Sequence, residues 1–323
     1  HDEFTGVYLA NNITFTEDIT TIYTSARSYS ICLNGHTIDM NGHSIKIQAD
    51  LRLIDHCTDV THKFSVQSDG LWKLDANGTK TVTGGGLITN AGGNGAFVLF
   101  NSAYGRIILN GVKVIGNKST NPNHGGAITA EVYDEVHMDI DVLGRTVVRG
   151  NVTTGKSGES NILLNTSQNQ KVWIYESGPW PCDGADVGIT VSGATLNVGT
   201  TIDQYIRQFN ASITQGEAYF HFNQFGSNTM YAVEVKDNHW KLKPSHVHQF
   251  AYKAVDNTIK AYCTNTEGAS SCPYQGSETD LSKAITLTLS ANSSLTYDGS
   301  AKSATIGNWS ASNVTGLAAK PTT

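Results

Sequence analysis

Three residues at alternate positions, His137, Asp139 and Asp141, offer this chain's plainest acid–base chemistry. They lie in the run Val136-His137-Met138-Asp139-Ile140-Asp141-Val142, where apolar and polar residues alternate strictly. A period of two turns Val136, Met138, Ile140 and Val142 inward and sets the histidine and both acids on one outer face. Two carboxylates beside an imidazole suit proton transfer in glycan cleavage, or the ligation of a divalent cation. Outward acids also keep a repetitive β surface in water, and Glu131, Asp134 and Glu135 read that way. A lyase would want a basic residue beside its acids, and this strand carries none. The expectation is a solvated face with no catalytic residue, and His137, Asp139 and Asp141 are the fallback catalytic set.

Three other constellations could carry chemistry. Lys171, Trp173 and Tyr175 alternate with Val172 and Ile174, and Trp180 follows between two prolines. Exposed aromatics of this kind stack on sugar rings or anchor a protein partner, so these four are the candidate binding residues. The competing expectation, held equally, is that a following cap folds over them. His246, His248, Cys263 and Cys272 could form a zinc site of two histidines and two cysteines. The close Cys263–Cys272 spacing suits a local disulfide as well, which is the preferred reading in an exported protein, and no metal is expected. Gly150 to Ser157 matches the phosphate-loop pattern Gly-x-x-x-x-Gly-Lys-Ser letter for letter. A true phosphate loop opens a helix, whereas the residues that follow here read as turn and strand, so no nucleotide and no cofactor is expected.

The elements that must hold these residues are short strands. Ile31–Ile47 contains a tandem repeat, Asn34-Gly35-His36-Thr37-Ile38 and then Asn41-Gly42-His43-Ser44-Ile45. Apolar residues alternate around it, and Asn-Gly pairs accept the positive φ of tight corners. Short strands broken at regular corners predict a parallel β-solenoid, with this stretch as its first full turn. Tyr8–Tyr29 is then the cap on the open end, and Thr58–Lys80 a polar excursion. From Gly84 a long, irregular repeat runs through Gly95-Ala96-Phe97 and Gly126-Ala127-Ile128. Its corners Gly116-Asn117 and Gly150-Asn151 lie 34 residues apart. Stacked corner asparagines could hydrogen-bond to one another up the coil. Ser160 to about Lys243 keeps its strands, loses the repeat, and is read as the closing part and cap.

Composition sets the outer bounds. At 323 residues the chain is too long for one ordinary core. Only 15% of residues are charged, Gly numbers 32 and Pro 6, which fits a β-rich extracellular protein with Gly and Asn turns. A formal net charge of −6 argues against nucleic acid, which needs a basic patch. No apolar run approaches the ~20 residues of a membrane span. The opening His-Asp-Glu-Phe carries no signal-peptide pattern and is read as the cut end of a longer exported precursor. The five cysteines are an odd number, so at least one is free, metal-bound or paired to another chain.

The LNGHTIDMNG turn, the IGN and RGN corners and the closing GITVSGATLNVGT…YFHFN segment resemble large secreted or cell-wall surface proteins of anaerobic, often gut, Gram-positive bacteria. In that family a right-handed parallel β-helix is followed by small modules. HVHQFAYKAVDNTIKAYC resembles one such module, and LTYDGSAKSATI an immunoglobulin-like surface repeat. The resemblance implies an all-β chain: a right-handed parallel β-helix with its caps over 1–243, a small β module with the His and Cys pairs over 244–278, and an incomplete immunoglobulin-like module over 279–323.

The expected function is that of an adhesin-like, monomeric surface protein outside the cell. Its partner is a host glycan or a host secreted protein, immunoglobulin among the possibilities, with no nucleic acid and no membrane insertion. The alternative is a carbohydrate-active β-helix enzyme, a polysaccharide lyase or glycosidase, working from the acidic strand. An outer groove lined by acids and aromatics together would favour the enzyme, and a flat aromatic face would favour binding.

Overall fold

Alternation in very short runs decides where each strand puts its side chains. The protein is described from a computed structural model. The structure describes residues 6–21, 29–100, 106–131, 139–165, 171–174, 181–182, 184–208, 219–245, 249–256, 258–264, 274–290 and 305–306. They are all-β, without a helix. The chain divides into two compact units, His1–Lys243 and Pro244–Thr323.

In the first unit the chain passes repeatedly through three stacks of parallel strands. The first pass is β1 (Gly6–Tyr8), β2 (Ile13–Thr14) and β3 (Ile19–Thr21), and the second β4 (Tyr29–Cys32), β5 (Thr37–Asp39) and β6 (Ile45–Ile47). The third opens with β7 (Leu51–Ile54), is interrupted by β8 (Thr61–Val66), β9 (Trp72–Leu74) and β10 (Lys80–Thr83), and resumes with β11 (Leu87–Thr89) and β12 (Phe97–Phe100). The fourth holds β13 (Arg106–Asn110), β14 (Lys113–Ile115), β15 (Lys118–Ser119) and β16 (Ile128–Glu131). The fifth repeats it with β17 (Asp139–Leu143), β18 (Val147–Arg149), β19 (Val152–Thr153) and β20 (Ile162–Asn165). Then come β21 (Lys171–Ile174), β22 (Asp186–Ser192), β23 (Ile206–Gln208), β24 (Phe220–Gln224), β25 (Met230–Lys236) and β26 (His239–Pro244).

One stack is the seven-stranded parallel sheet β1-β4-β7-β13-β17-β21-β23. The other two are the runs β2-β5-β11-β14-β18 and β3-β6-β12-β16-β20. The long strand β22 joins them: Asp186 and Val187 pair with β18, while Ile189–Ser192 pair with β20. The resulting 11-strand parallel sheet curls through 299°. Because passes stack in register, like residues fall into columns. Ile38, Ile88, Val114, Val148 and Val187 form one, and Ile45, Phe97, Ile128, Ile162 and Ile189 another. All ten are buried in one core, where each side chain contributes about 1.5–3 kcal/mol.

Corners behave as the sequence predicts. Asn34 and Gly35 have φ of 51° and 76°, and Asn41 and Gly42 of 46° and 84°, so the tandem repeat marks two successive corners of one pass. Asn117 and Asn151 occupy equivalent corners, bracketed by the register pairs Ile115–Arg149 and Lys118–Val152. The Asn117 Nδ2 donates to the Asn151 Oδ1 at 2.9 Å, and Asn151 Nδ2 donates in turn to Asn161 Oδ1 at 2.9 Å.

Two expectations change, those for the N-terminal cap and for the polar excursion. The stretch read as an N-terminal cap contains β1, β2 and β3, which pair in parallel with β4, β5 and β6 as an ordinary pass. Its weak alternation reflects exposure: Val7 is 54% and Tyr8 74% exposed. A cavity of about 360 Å³ lies beneath this pass, lined by Leu9, Phe15, Ile31, Met40 and neighbours. The opposite end is closed by the antiparallel strands β25 and β26, whose Val233, Trp240 and Leu242 enter the core. The polar excursion, finally, is an antiparallel sheet in the order β10-β8-β9. Its Phe64 and Trp72 cover Leu87, Ile115 and Val147, which point outward from their strands, and together they make a second small core.

In the second unit β27 (Phe250–Val255), β28 (Thr258–Cys263), β29 (Ile285–Ser290) and β30 (Thr305–Ile306) form one four-stranded sheet. β28 and β29 lie on opposite sides of the boundary expected at 278/279 and share an antiparallel ladder, Ile259 with Leu287 and Ala261 with Ile285.

Candidate functional site

The acidic strand is β17, and its inward residues Ile140 and Val142 belong to the main core, as alternation requires. Asp141 nevertheless is 1% exposed. Its carboxylate makes an ion pair with the Arg106 guanidinium, which reaches across from β13. The solvated acid expected at this position is therefore a buried, neutralised one. The missing basic partner comes from the strand below rather than from β17 itself. Stacking makes that possible, since strands ~4.8 Å apart bring residues 30 or more positions distant into contact.

Register also joins the two surface constellations. Asp139 pairs with Arg106 on one side and Lys171 on the other, and Asp141 pairs with Trp173. The acidic strand and the start of the aromatic strand are thus adjacent rungs of one sheet. His137, Tyr175 and Trp180 lie outside the described residues, and so do His246, His248 and Cys272. Cys263 is buried in β28, opposite Phe250. Among the described residues no cluster of three His, Cys, Asp or Glu could hold a metal ion.

The phosphate-loop pattern fails on structure as it did on context. Gly150 precedes β19, a turn follows, and the next regular element is β20. Gly150 is required by packing: a Cβ there would come within 2.1 Å of the Trp72 ring, and the Gly150 carbonyl accepts from Trp72 N at 2.9 Å.

A second charged cluster escaped the sequence reading. Arg149, at the end of β18, donates from Nε and Nη2 to the two Glu159 oxygens at 2.9 and 3.2 Å. Its Nη1 donates to Asp186 Oδ1 of β22 at 2.6 Å. His221 of β24 places Nε2 3.4 Å from the same Asp186 oxygen. Lys80 and Arg149 lie 5.1 and 5.6 Å from the Trp72 ring centre. Burial pushes the Glu159 carboxyl up, but the Arg149 charge and its hydrogen bonds, helped by Asn161, outweigh it and hold the group below its ordinary range. Burial and the nearby guanidinium lower Lys80, and burial lowers His221 against the opposing pull of Asp186. The visible signal was an Arg and an Asp flanking matched Val-rich strands, but the 37-residue offset that unites them needs the stacking register.

Lys113 is a further buried cation, fully covered under the β8–β10 sheet and donating to the Arg145 carbonyl. Burial, with Arg145 nearby, brings its pKa down to about 8. Among the described residues no helix is long and apolar enough to cross a membrane. No family model, curated protein or solved structure matches this chain.

Proposed function

We propose that the first unit is a right-handed parallel β-helix displayed outside the cell, and that it binds a host glycan or host secreted protein without turning it over. The observation that supports binding is the state of its acids. Asp141 is locked to Arg106, while Glu159 and Asp186 share Arg149. A general acid must hold its proton near the working pH, and a general base must not be neutralised by a fixed cation. Glu159, held low by Arg149, meets neither need. Three stacks visited in constant order, columns of like residues and a corner asparagine ladder support the β-helix reading.

A carbohydrate-active enzyme is the second reading, and one observation favours it: register sets Asp139 and Asp141 beside Lys171 and Trp173. A glycan array combined with pull-down from host secretions tests the first reading. Retention of a defined ligand that is weakened by Trp173→Ala and Tyr175→Ala supports it, and release of cleaved product refutes it.

A further inference from the structure

Asn-Gly, the corner dipeptide of this fold, is also chemically reactive. The glycine amide nitrogen, after losing its proton to base, attacks the asparagine Cγ. The new N–Cγ bond closes a five-membered imide, the Cγ–Nδ2 bond breaks, and ammonia leaves. Water then opens the imide at either carbonyl, which leaves aspartate or isoaspartate. This chain carries five such pairs, Asn34-Gly35, Asn41-Gly42, Asn77-Gly78, Asn94-Gly95 and Asn110-Gly111.

We infer that Asn77 is the site of spontaneous deamidation in the folded protein, and that stacking of the passes protects the other four. The attacking nitrogen is the group to follow. Gly35 N donates to Asp55 Oδ2 at 2.7 Å, and a buried carboxylate opposes loss of that proton. Gly42 N donates to the Asn90 carbonyl of the following pass at 2.8 Å, while Asn41 Nδ2 is held by the Phe15 carbonyl of the preceding one. Gly111 N donates to Thr146 Oγ1 at 2.9 Å and to the Leu143 carbonyl at 3.2 Å. At the fourth pair Gly95 N is held locally, by the Gly92 carbonyl at 2.7 Å, and the restraint from the next pass falls instead on the amide under attack, since Asn94 Oδ1 accepts from Asn121 Nδ2 at 3.0 Å. Freeing the nitrogen at Gly35, Gly42 or Gly111, or the side-chain amide of Asn94, means breaking a contact with a neighbouring pass.

Asn77 lies outside the stacks altogether. It is exposed, in the turn between β9 and β10, and its neighbour's amide is held by one local bond, Gly78 N to the Asp75 carbonyl at 2.9 Å. That bond opens with the turn alone, without disturbing a single stack, and local openings of this kind are the most frequent ones. The product has a structural consequence. Gly78 lies against the Phe64 backbone so closely that a Cβ would come within 2.2 Å of it. Isoaspartate lengthens the backbone just before Gly78, and the turn that carries the chain from β9 across β8 to β10 has no slack to take it up. The β8–β10 cover over Leu87, Ile115 and Val147 loosens as a result.

The test is peptide mapping of the full chain after incubation in mildly alkaline buffer, folded and in urea. In the folded protein the expected result is aspartate and isoaspartate at position 77, at least about tenfold faster than at the other four pairs. In urea all five react at comparable rates. Asn77→Gln, which leaves the turn exposed but disfavours imide closure, removes that product and leaves the rest unchanged. Reaction at Asn34, Asn41, Asn94 or Asn110 as fast as at Asn77 in the folded protein overturns the inference. So does an unreactive Asn77 in a folded protein whose urea-treated form reacts throughout.

Discussion

Asp141 shows how far a residue's neighbours can overrule its type. On β17 it occupies an outward position, yet it is buried and its charge is met by Arg106, itself 23% exposed. Asp141→Asn keeps the shape and removes the charge, so the guanidinium stays half-covered without its counter-ion. Removing one member of a buried pair typically costs 3–5 kcal/mol, and the partial exposure of Arg106 reduces this to about 1–3 kcal/mol here. Urea denaturation of the variant measures it; an unchanged midpoint would mean the pair contributes nothing. Two histidines set a pH response at the same scale. Burial lowers the pKa of His62 and of His221 from the usual 6.5, so the unfolded chain binds protons more tightly than the folded one. Their contribution is complete above pH 6.5 and is lost as pH falls below it. Unfolding free energies measured from pH 7.5 down to pH 5 should decline, and His62→Gln with His221→Gln should flatten that part of the slope.

Strands and corners explain what could be read from sequence and what could not. The columns of Ile and Val were legible because alternation survives even in three-residue strands. The corner asparagines were legible because their 34-residue spacing is a property of the chain alone. Asn151 is the stronger link: its Oδ1 accepts from Asn117 N and Nδ2, and its Nδ2 donates to Val114 O and Asn161 Oδ1. Asn151→Ala leaves several buried groups without partners and should cost about 2–4 kcal/mol. Calorimetry checks this, with Asn34→Ala at an exposed corner as the milder comparison. The β8–β10 cover was not legible, because Phe64 and Trp72 stand among Lys, Ser and Asp and bury themselves on another segment's outer face. Arg106 with Asp141, and Arg149 with Glu159 and Asp186, were missed for a related reason. Such pairs exist only once the stacking register is known, and a strand read by itself shows one partner.

At the scale of the whole molecule, the long parallel stacks supply a frame, and the charges covered within it at Asp141, Arg149 and Glu159 are spent on ion pairs between its strands and turns. The binding function proposed above rests on this pairing of Asp141, Glu159 and Asp186 with arginines. The most direct test is an assay of the full chain against mucin glycans and plant and host polysaccharides, scoring retained ligand together with new reducing ends or unsaturated products. Asp139→Asn is the informative variant, because Asp141→Asn would weaken the fold as well. The account predicts retention of a ligand with no product from either protein. Product formed by the native chain and lost in Asp139→Asn would contradict it, and would place a carbohydrate-active enzyme on the acidic strand.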